Sequence, residues 1–256
     1  MTPQERQRRL AAIARALRAV LLPMLRVGLR PRMTNTEWAA MVEAAYPAVY
    51  RARMDYWRLA ERAYRDERDR VLGVDSPVEF PRRNYPPEAL DAGLREMVRP
   101  RLEVLADDDP VPAVVVEEAV AVADRHARDG GRQGIIDAAR HDRRALGYAR
   151  RLTGASSCAF CTMLASRGPV YRSASSALIR HIGRGRNAVA TGEPFHDHCD
   201  CEVVAVFRRD DWEGREQYEE LSRLWDEHAN GNLADWRRYL DQRQREQQDE
   251  GGRQAA

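Results

Sequence analysis

The chain has 256 residues, of which 32% are charged and 43% hydrophobic, and its formal net charge is +2. This composition is typical of a folded chain with much solvated surface, and it excludes an intrinsically disordered protein. There is no run of 18 apolar residues and no apolar stretch followed by a small-residue cleavage site. We therefore expect neither a membrane span nor a secretory signal, and synthesis in a cytoplasm.

The charges separate along the chain, and all 42 basic residues are arginine. Residues 1–32 carry eight arginines against Glu5 alone, and residues 140–190 carry ten against Asp142 alone. Residues 208–256 combine nine arginines with thirteen carboxylates. Arginine forks bind carboxylate or phosphate, so the basic blocks predict contacts with the chain's own acidic tail, with an acidic protein surface or with DNA. We place internal and protein contacts ahead of DNA.

Residues 1–72 are predicted to form an amphipathic helical arm. One helix covers residues 4–30, and a second runs from a cap at Thr34 to Leu72. Pro23 is predicted to kink or divide the first helix and Pro47 to bend the second, because proline removes a backbone donor and clashes with the preceding turn. The predicted apolar stripes recur at helical spacing. They are Leu10, Ile13, Leu17, Val20, Leu21 and Met24 in the first helix, and Val42, Ala45, Val49, Ala52, Tyr56, Leu59 and Ala63 in the second.

Residues 73–153 are predicted to form a helical domain that begins with a proline-rich connector over residues 73–87. Its predicted helices span 88–106, 112–128 and 132–152. The last two are separated by Gly130 and Gly131, while the valine-rich stretch 114–122 leaves helix and strand open.

Residues 154–207 are predicted to form a compact Cys/His-cluster domain of short elements, with a strand over Val203–Phe207. Residues 208–256 should form C-terminal helices and a polar tail. The predicted fold class is therefore mainly α (α+β). An extended helical N-terminal part is followed by a small zinc-stapled α+β domain and C-terminal helices.

All four cysteines lie between residues 158 and 201. Cys158 and Cys161 form a C-x-x-C turn, and His196, His198, Cys199 and Cys201 follow about forty residues later. Two short clusters of this kind can supply the four corners of a structural zinc site, which leaves no open position for catalysis. We expect Cys158, Cys161 and Cys199 as ligands, with Cys201, His196 and His198 competing for the fourth place. Reduced buried cysteines and a disulfide are the alternatives.

The two clusters resemble the C-terminal motif of Mu F-like head morphogenesis proteins of tailed phages, in the form found in actinobacterial phages. The matching segments are Cys158–Cys161, Ala165–Tyr171 and Pro194–Cys201. Asp200 stands where the family commonly has arginine, and Phe195 where it has a second proline. The resemblance favours His196 over His198 as the site histidine.

The resemblance implies a minor capsid protein of the virion, present in few copies near the portal and made in the host cytoplasm. It would contact the portal protein and the major capsid protein, and act in head assembly or genome delivery. From the residues themselves we expect no enzyme and no catalytic residue, and no membrane partner either, because the apolar face of the helix in residues 1–32 has no bulky aromatic side chains.

Two other classes of protein, an enzyme and a nucleic-acid-binding module, are alternatives to this interpretation. A zinc deaminase needs glutamate two residues after its ligand histidine, but His198 occupies that position after His196. A cysteine hydrolase needs a lone nucleophile rather than four clustered thiols. The stronger alternative is a zinc-stabilised module that binds nucleic acid without base specificity, gripping phosphates with Arg180, Arg184 and Arg186. Contact with packaged DNA is compatible with both interpretations.

Overall fold

The computed structural model describes residues 1–73, 77–154, 157–169, 195, 199 and 201–254. These residues contain eight helices and a two-stranded sheet, which confirms the predicted mainly α class. They divide into two compact units, one comprising residues 1–142 with Phe195, the other the described residues from 143 onward with that exception. None of the described helices is long and apolar enough to cross a membrane.

The first unit contains five helices. They are α1 (Pro3–Gly28), α2 (Asn35–Leu72), α3 (Pro87–Met97), α4 (Arg99–Glu103) and α5 (Ala113–His141). The predicted cap of α2 is confirmed as a capping box: Glu37 N donates to Thr34 Oγ1 at 3.3 Å, and Thr34 N donates to Glu37 Oε2 at 2.9 Å. Pro23 and Pro47 remain inside α1 and α2 rather than dividing them.

The core of this unit lies where α1, α2, α3 and α5 pack together. Every member of the stripe predicted for α2 is buried. In α1 the buried face is Leu17, Leu21 and Leu25, whereas Val20 is 54% exposed and was wrongly assigned to the stripe. Val20 lies about 100° around the helix from Leu21, which turns it away from the core. The apolar stripe of α1 is thus covered by helices of its own unit, and segments 1–72 and 73–142 share one core.

Helix α5 differs from the prediction because it continues through Gly130 and Gly131. A Cβ at Gly130 would lie 2.6 Å from the carbonyl oxygen of Arg53, and one at Gly131 would lie 2.8 Å from that of Tyr56. These glycines therefore let the backbones of α2 and α5 approach closely, and they do not end the helix. The valine-rich stretch is helical, since it lies within α5.

The second unit contains β1 (Gly147–Arg151), α6 (Ala159–Ala165), β2 (Glu202–Val206), α7 (Arg215–His228) and α8 (Leu233–Gln254). The strands pair antiparallel, with Arg150 opposite Val203. The strand predicted near Val203 is confirmed, but the helix predicted over 132–152 is wrong beyond His141. An isolated strand leaves its ladder unpaired, so β2 requires a partner, and residues 147–151 supply it.

Candidate metal centre

Helix α6 positions the first two cysteines of the cluster. Cys158 is its N-cap, and the backbone N–H of Cys161 donates to Cys158 Sγ at 3.4 Å. The carbonyl oxygen of Cys158 accepts from Thr162 N at 3.0 Å and from Thr162 Oγ1 at 3.1 Å. Cys158 is exposed, whereas Cys161 is fully buried in the first turn of the helix. The turn therefore holds a C-x-x-C pair with one thiol inside the unit and one at its surface.

Cys199 and Cys201 complete a compact group of sulfur atoms with Cys161. Cys199 Sγ lies 3.4 Å from Cys161 Sγ and 2.9 Å from Cys201 Sγ. All three sulfurs lie within 4.8 Å of one another, and all three residues are buried. Cys201 immediately precedes β2, so pairing of the two strands fixes one side of the group while α6 fixes the other.

These three buried thiols could hold a metal ion. A tetrahedral zinc ion with Zn–S bonds of about 2.3 Å separates its sulfurs by about 3.8 Å. The two shorter contacts would have to open by about 0.4 Å and 0.9 Å, obtained as 3.8 − 3.4 and 3.8 − 2.9, to reach that separation. Both contacts exceed the S–S bond length of about 2.05 Å, so the cysteines are free thiols. Thiolates suit zinc, and they do not suit magnesium or calcium.

The electrostatics of the group change with a bound cation. The pKa of the Cys161 thiol is strongly raised, first by its contact with Cys158, then by Cys199 and Cys201, and also by burial. Adjacent sulfurs disfavour one another's ionisation in the same way that adjacent carboxylates do. A bound metal cation reverses this balance, because coordinated thiols are deprotonated.

Arg150 is a residue of this site that the sequence did not indicate. Its Nη1 donates to Cys201 Sγ at 3.2 Å, and its side chain is almost fully buried. Thr162 links the site to α8, because Trp236 Nε1 donates to Thr162 Oγ1 at 2.9 Å and Trp236 is fully buried. Arg150 was missed because residues 132–152 were predicted as a helix, in which no register with Cys201 could be inferred.

The structure brings some of the predicted ligands together and leaves others apart or undescribed. Cys161, Cys199 and Cys201 are brought together, while Cys158 lies at the edge of the group, in contact with Cys161. Cys201, one of three candidates for the fourth place, belongs to the buried group, with its sulfur 2.9 Å from that of Cys199. His196 and His198 lie outside the described residues.

Comparison with protein families places almost the whole chain in one known group. The family model described as VG15 protein matches residues 3–228, a span that begins at the start of α1 and ends with α7. The matched span includes all four cysteines.

Two relatives are proteins of mycobacteriophages. The chain is 31% identical over 223 residues to the "Gene 15 protein" of Mycobacterium phage D29, with 77% of each chain covered. It is 26% identical over 257 residues to the "Gene 15 protein" of Mycobacterium phage L5, with 88% of this chain and 84% of the relative covered. No solved structure matches the chain.

Proposed function

Because the chain belongs to the VG15 protein family and its relatives are phage proteins, we propose that it is a minor structural protein of the phage head, located near the portal. The observation that carries this proposal is the cysteine group. The motif that resembles Mu F-like head proteins places Cys161 and Cys199 far apart in sequence, and their sulfurs lie 3.4 Å apart in the structure. The proposed partners are the portal protein and the major capsid protein.

The proposed cofactor is a structural zinc ion held by Cys161, Cys199 and Cys201, with Cys158 or His196 as the fourth ligand. The ion would fasten the start of α6 to the residues that precede β2, the next element along the described part of the chain. In so small a unit, binding free energy contributes directly to folding. Arg150 supports this site, because a zinc ion with three or four thiolates carries excess negative charge that a guanidinium offsets.

A structural role is supported over a catalytic one by the burial of Cys161, Cys199 and Cys201. A nucleophilic cysteine is partly exposed, and its pKa is lowered by positive neighbours. Cys161 is fully buried and its thiol pKa is raised by Cys158, Cys199, Cys201 and burial. We therefore propose that the chain has no enzymatic activity of its own.

The zinc site is tested by metal analysis of full-length protein purified without chelator. We expect about one zinc ion per chain, and cobalt substitution should give the absorption bands of tetrahedral thiolate coordination. Cys161→Ser and Cys199→Ser should each abolish stoichiometric zinc. The matched control is Thr162→Val, which removes the hydrogen bond to Trp236 beside the site without removing a donor sulfur. Absence of metal from the wild-type protein would remove the zinc proposal.

The location in the virion is tested on purified particles of the phage that encodes this chain. Mass spectrometry should find the protein at a small fraction of the abundance of the major capsid protein, and cross-linking should join it to the portal. Equal abundance with the major capsid protein would indicate a shell or decoration protein. Absence from mature particles would indicate an assembly factor lost during maturation. Either result would contradict the proposal.

Nucleic-acid binding is the second candidate, but the described arginines of the basic block 140–190 support it weakly. Arg150 donates to Cys201, and Arg151 pairs with Glu202 at 2.8 Å and with Glu213. Arg180, Arg184 and Arg186 lie outside the described residues. Binding to random duplex DNA that weakens steeply with salt would favour this candidate, because phosphate contacts release counterions.

A further inference from the structure

A pocket of about 180 Å³ lies in the first unit, between α2, α5 and the connector that precedes α3. Its wall contains three arginines and no carboxylate. The three arginines are Arg53, Arg82 and Arg83, and Tyr85 and Gln133 also line the pocket. A concave site with converging polar groups is the usual form of a ligand-binding pocket. The pocket shares no residue with the cysteine group.

Arg53 is a buried cation that feels the charge of Asp129 but forms no direct salt bridge in the described part of the chain. Arg53 is only 9% exposed, and its Nη1 donates to the carbonyl oxygen of His126 at 2.5 Å. Its guanidinium lies over the ring of Tyr85, 4.4 Å from the ring centroid. No carboxylate of the described residues forms a salt bridge with it. Buried charges are usually paired, and a guanidinium has five N–H donors, so Arg53 retains unused capacity to bind an anion.

Arg83 adds a second, rigidly held cation to the same wall. Asp137 fixes it through two hydrogen bonds, from Nε at 2.6 Å and from Nη2 at 2.7 Å. The pKa of Arg53 is lowered by burial; the charge of Asp129 opposes this shift, and the smaller effect of the charge of Arg83 adds to it. The two like charges are thus close enough to repel each other. An anion bound in the pocket would relieve that repulsion.

We propose that this pocket binds a phosphate group. Guanidinium forks match phosphate oxygens, and a phosphate dianion offers more acceptor positions than a carboxylate for the donors of Arg53, Arg82 and Arg83. The site is recessed, so it fits a free phosphate or a terminal phosphate, and it does not fit the continuous backbone of a duplex. This site goes beyond the proposed role in the phage head and does not depend on zinc.

The test is a titration of the full-length protein with inorganic phosphate, read by calorimetry and by thermal unfolding, against chloride at equal ionic strength. We expect saturable binding and a phosphate-dependent rise in the unfolding temperature. Arg53→Gln removes the buried guanidinium from the pocket wall. Its affinity for phosphate should fall about tenfold, which corresponds to one lost charge-assisted hydrogen bond.

A second variant and a control keep the test independent of folding. Arg82→Gln removes an exposed guanidinium from the pocket wall and should weaken phosphate binding by a similar factor. Arg62→Gln removes an exposed arginine of α2 that does not line the pocket, and should leave binding unchanged. The absence of saturable phosphate binding by the wild-type protein would overturn the proposal. Equal affinity of the wild-type, Arg53→Gln and Arg82→Gln proteins would overturn it too.

Competition with oligonucleotides distinguishes the two sources of the phosphate. A 5′-phosphorylated oligonucleotide that displaces inorganic phosphate more strongly than its unphosphorylated counterpart would identify a nucleic-acid end as the ligand. Equal competition by inorganic phosphate and the phosphorylated oligonucleotide would identify free phosphate. Binding of the unphosphorylated oligonucleotide that is insensitive to Arg53→Gln and Arg82→Gln, with no phosphate binding, would contradict the site.

Discussion

Arg150 donates a hydrogen bond from Nη1 to Cys201 Sγ at 3.2 Å, and both side chains are almost completely buried. Arg150 lies on β1 opposite Val203, and Cys201 lies just before β2, so strand pairing brings the two groups together. A guanidinium beside a sulfur stabilises the thiolate form, which is the form that binds metal. The contact therefore links the small sheet to the chemistry of the cysteine group.

Replacing Arg150 by methionine should lower zinc affinity without removing a ligand. Loss of a group that supports a metal ligand typically lowers affinity about 10- to 100-fold, and we expect a change in this range. Competition with a chromophoric chelator measures it. The matched control is Arg151→Met on the same strand, because Arg151 pairs with Glu202 and Glu213 rather than with sulfur. Equal zinc loss in both variants would show that Arg150 acts through folding alone.

The contrast between the cysteines and Arg150 shows what the sequence could predict at this site. The spacings of Cys158 with Cys161 and of Cys199 with Cys201 are local, so they indicated a shared site without knowledge of the fold. The place of Arg150 depends on pairing with a strand about fifty residues later, and its own segment has no strand periodicity. Tertiary pairing of this kind overrides local pattern.

The same limit applies to the glycine pair of α5, which gives a second prediction. Gly130→Ala should destabilise the protein by about 1–3 kcal/mol, because the new Cβ would lie 2.6 Å from the carbonyl oxygen of Arg53. Alanine is otherwise the better helix former by about 1 kcal/mol. Urea unfolding of the full chain measures the effect.

The matched control for Gly130→Ala is Gly28→Ala at the end of α1. A Cβ there would meet only Met41 Cγ, at 3.6 Å, which is an ordinary contact. Gly28→Ala should be neutral or stabilising. If Gly130→Ala were also neutral, the close approach of α2 and α5 would not be the reason for the glycine.

Stability should depend on pH through His126, which is buried in the first unit. Burial, together with the charges of Arg125 and Arg53, lowers the pKa of His126 to about 3. The pKa of an unfolded histidine is about 6.5, so the unfolded chain binds a proton here before the folded chain does. This group therefore stabilises the folded state fully above about pH 6.5, and the contribution is lost as the pH falls toward 3.

The expected loss from His126 is at most about 1.4 kcal/mol for each pH unit below about 6.5. Urea unfolding at pH 7 and pH 5 measures it, and His126→Gln should reduce the difference between the two conditions. His228→Gln serves as a control, because His228 is exposed at the end of α7. A pH dependence that is the same in the wild type and in His126→Gln would rule out this assignment.

Arg68 and Asp142 form a buried ion pair in the first unit, with Arg68 Nε donating to Asp142 Oδ2 at 2.8 Å. The hydroxyl of Tyr64 donates to the same oxygen at 3.3 Å. Removing one partner takes this ion pair away from a charge that stays buried, so Asp142→Ala and Arg68→Met should each cost about 3–5 kcal/mol. The double variant should cost less than the sum of the two, because the interaction between the two side chains is lost only once. The exposed pair of Arg65 with Glu61 provides the comparison, since Glu61→Ala should cost no more than about 0.5 kcal/mol. Additive losses in the Arg68 and Asp142 variants, measured by urea unfolding at pH 7, would show that the two side chains are not coupled.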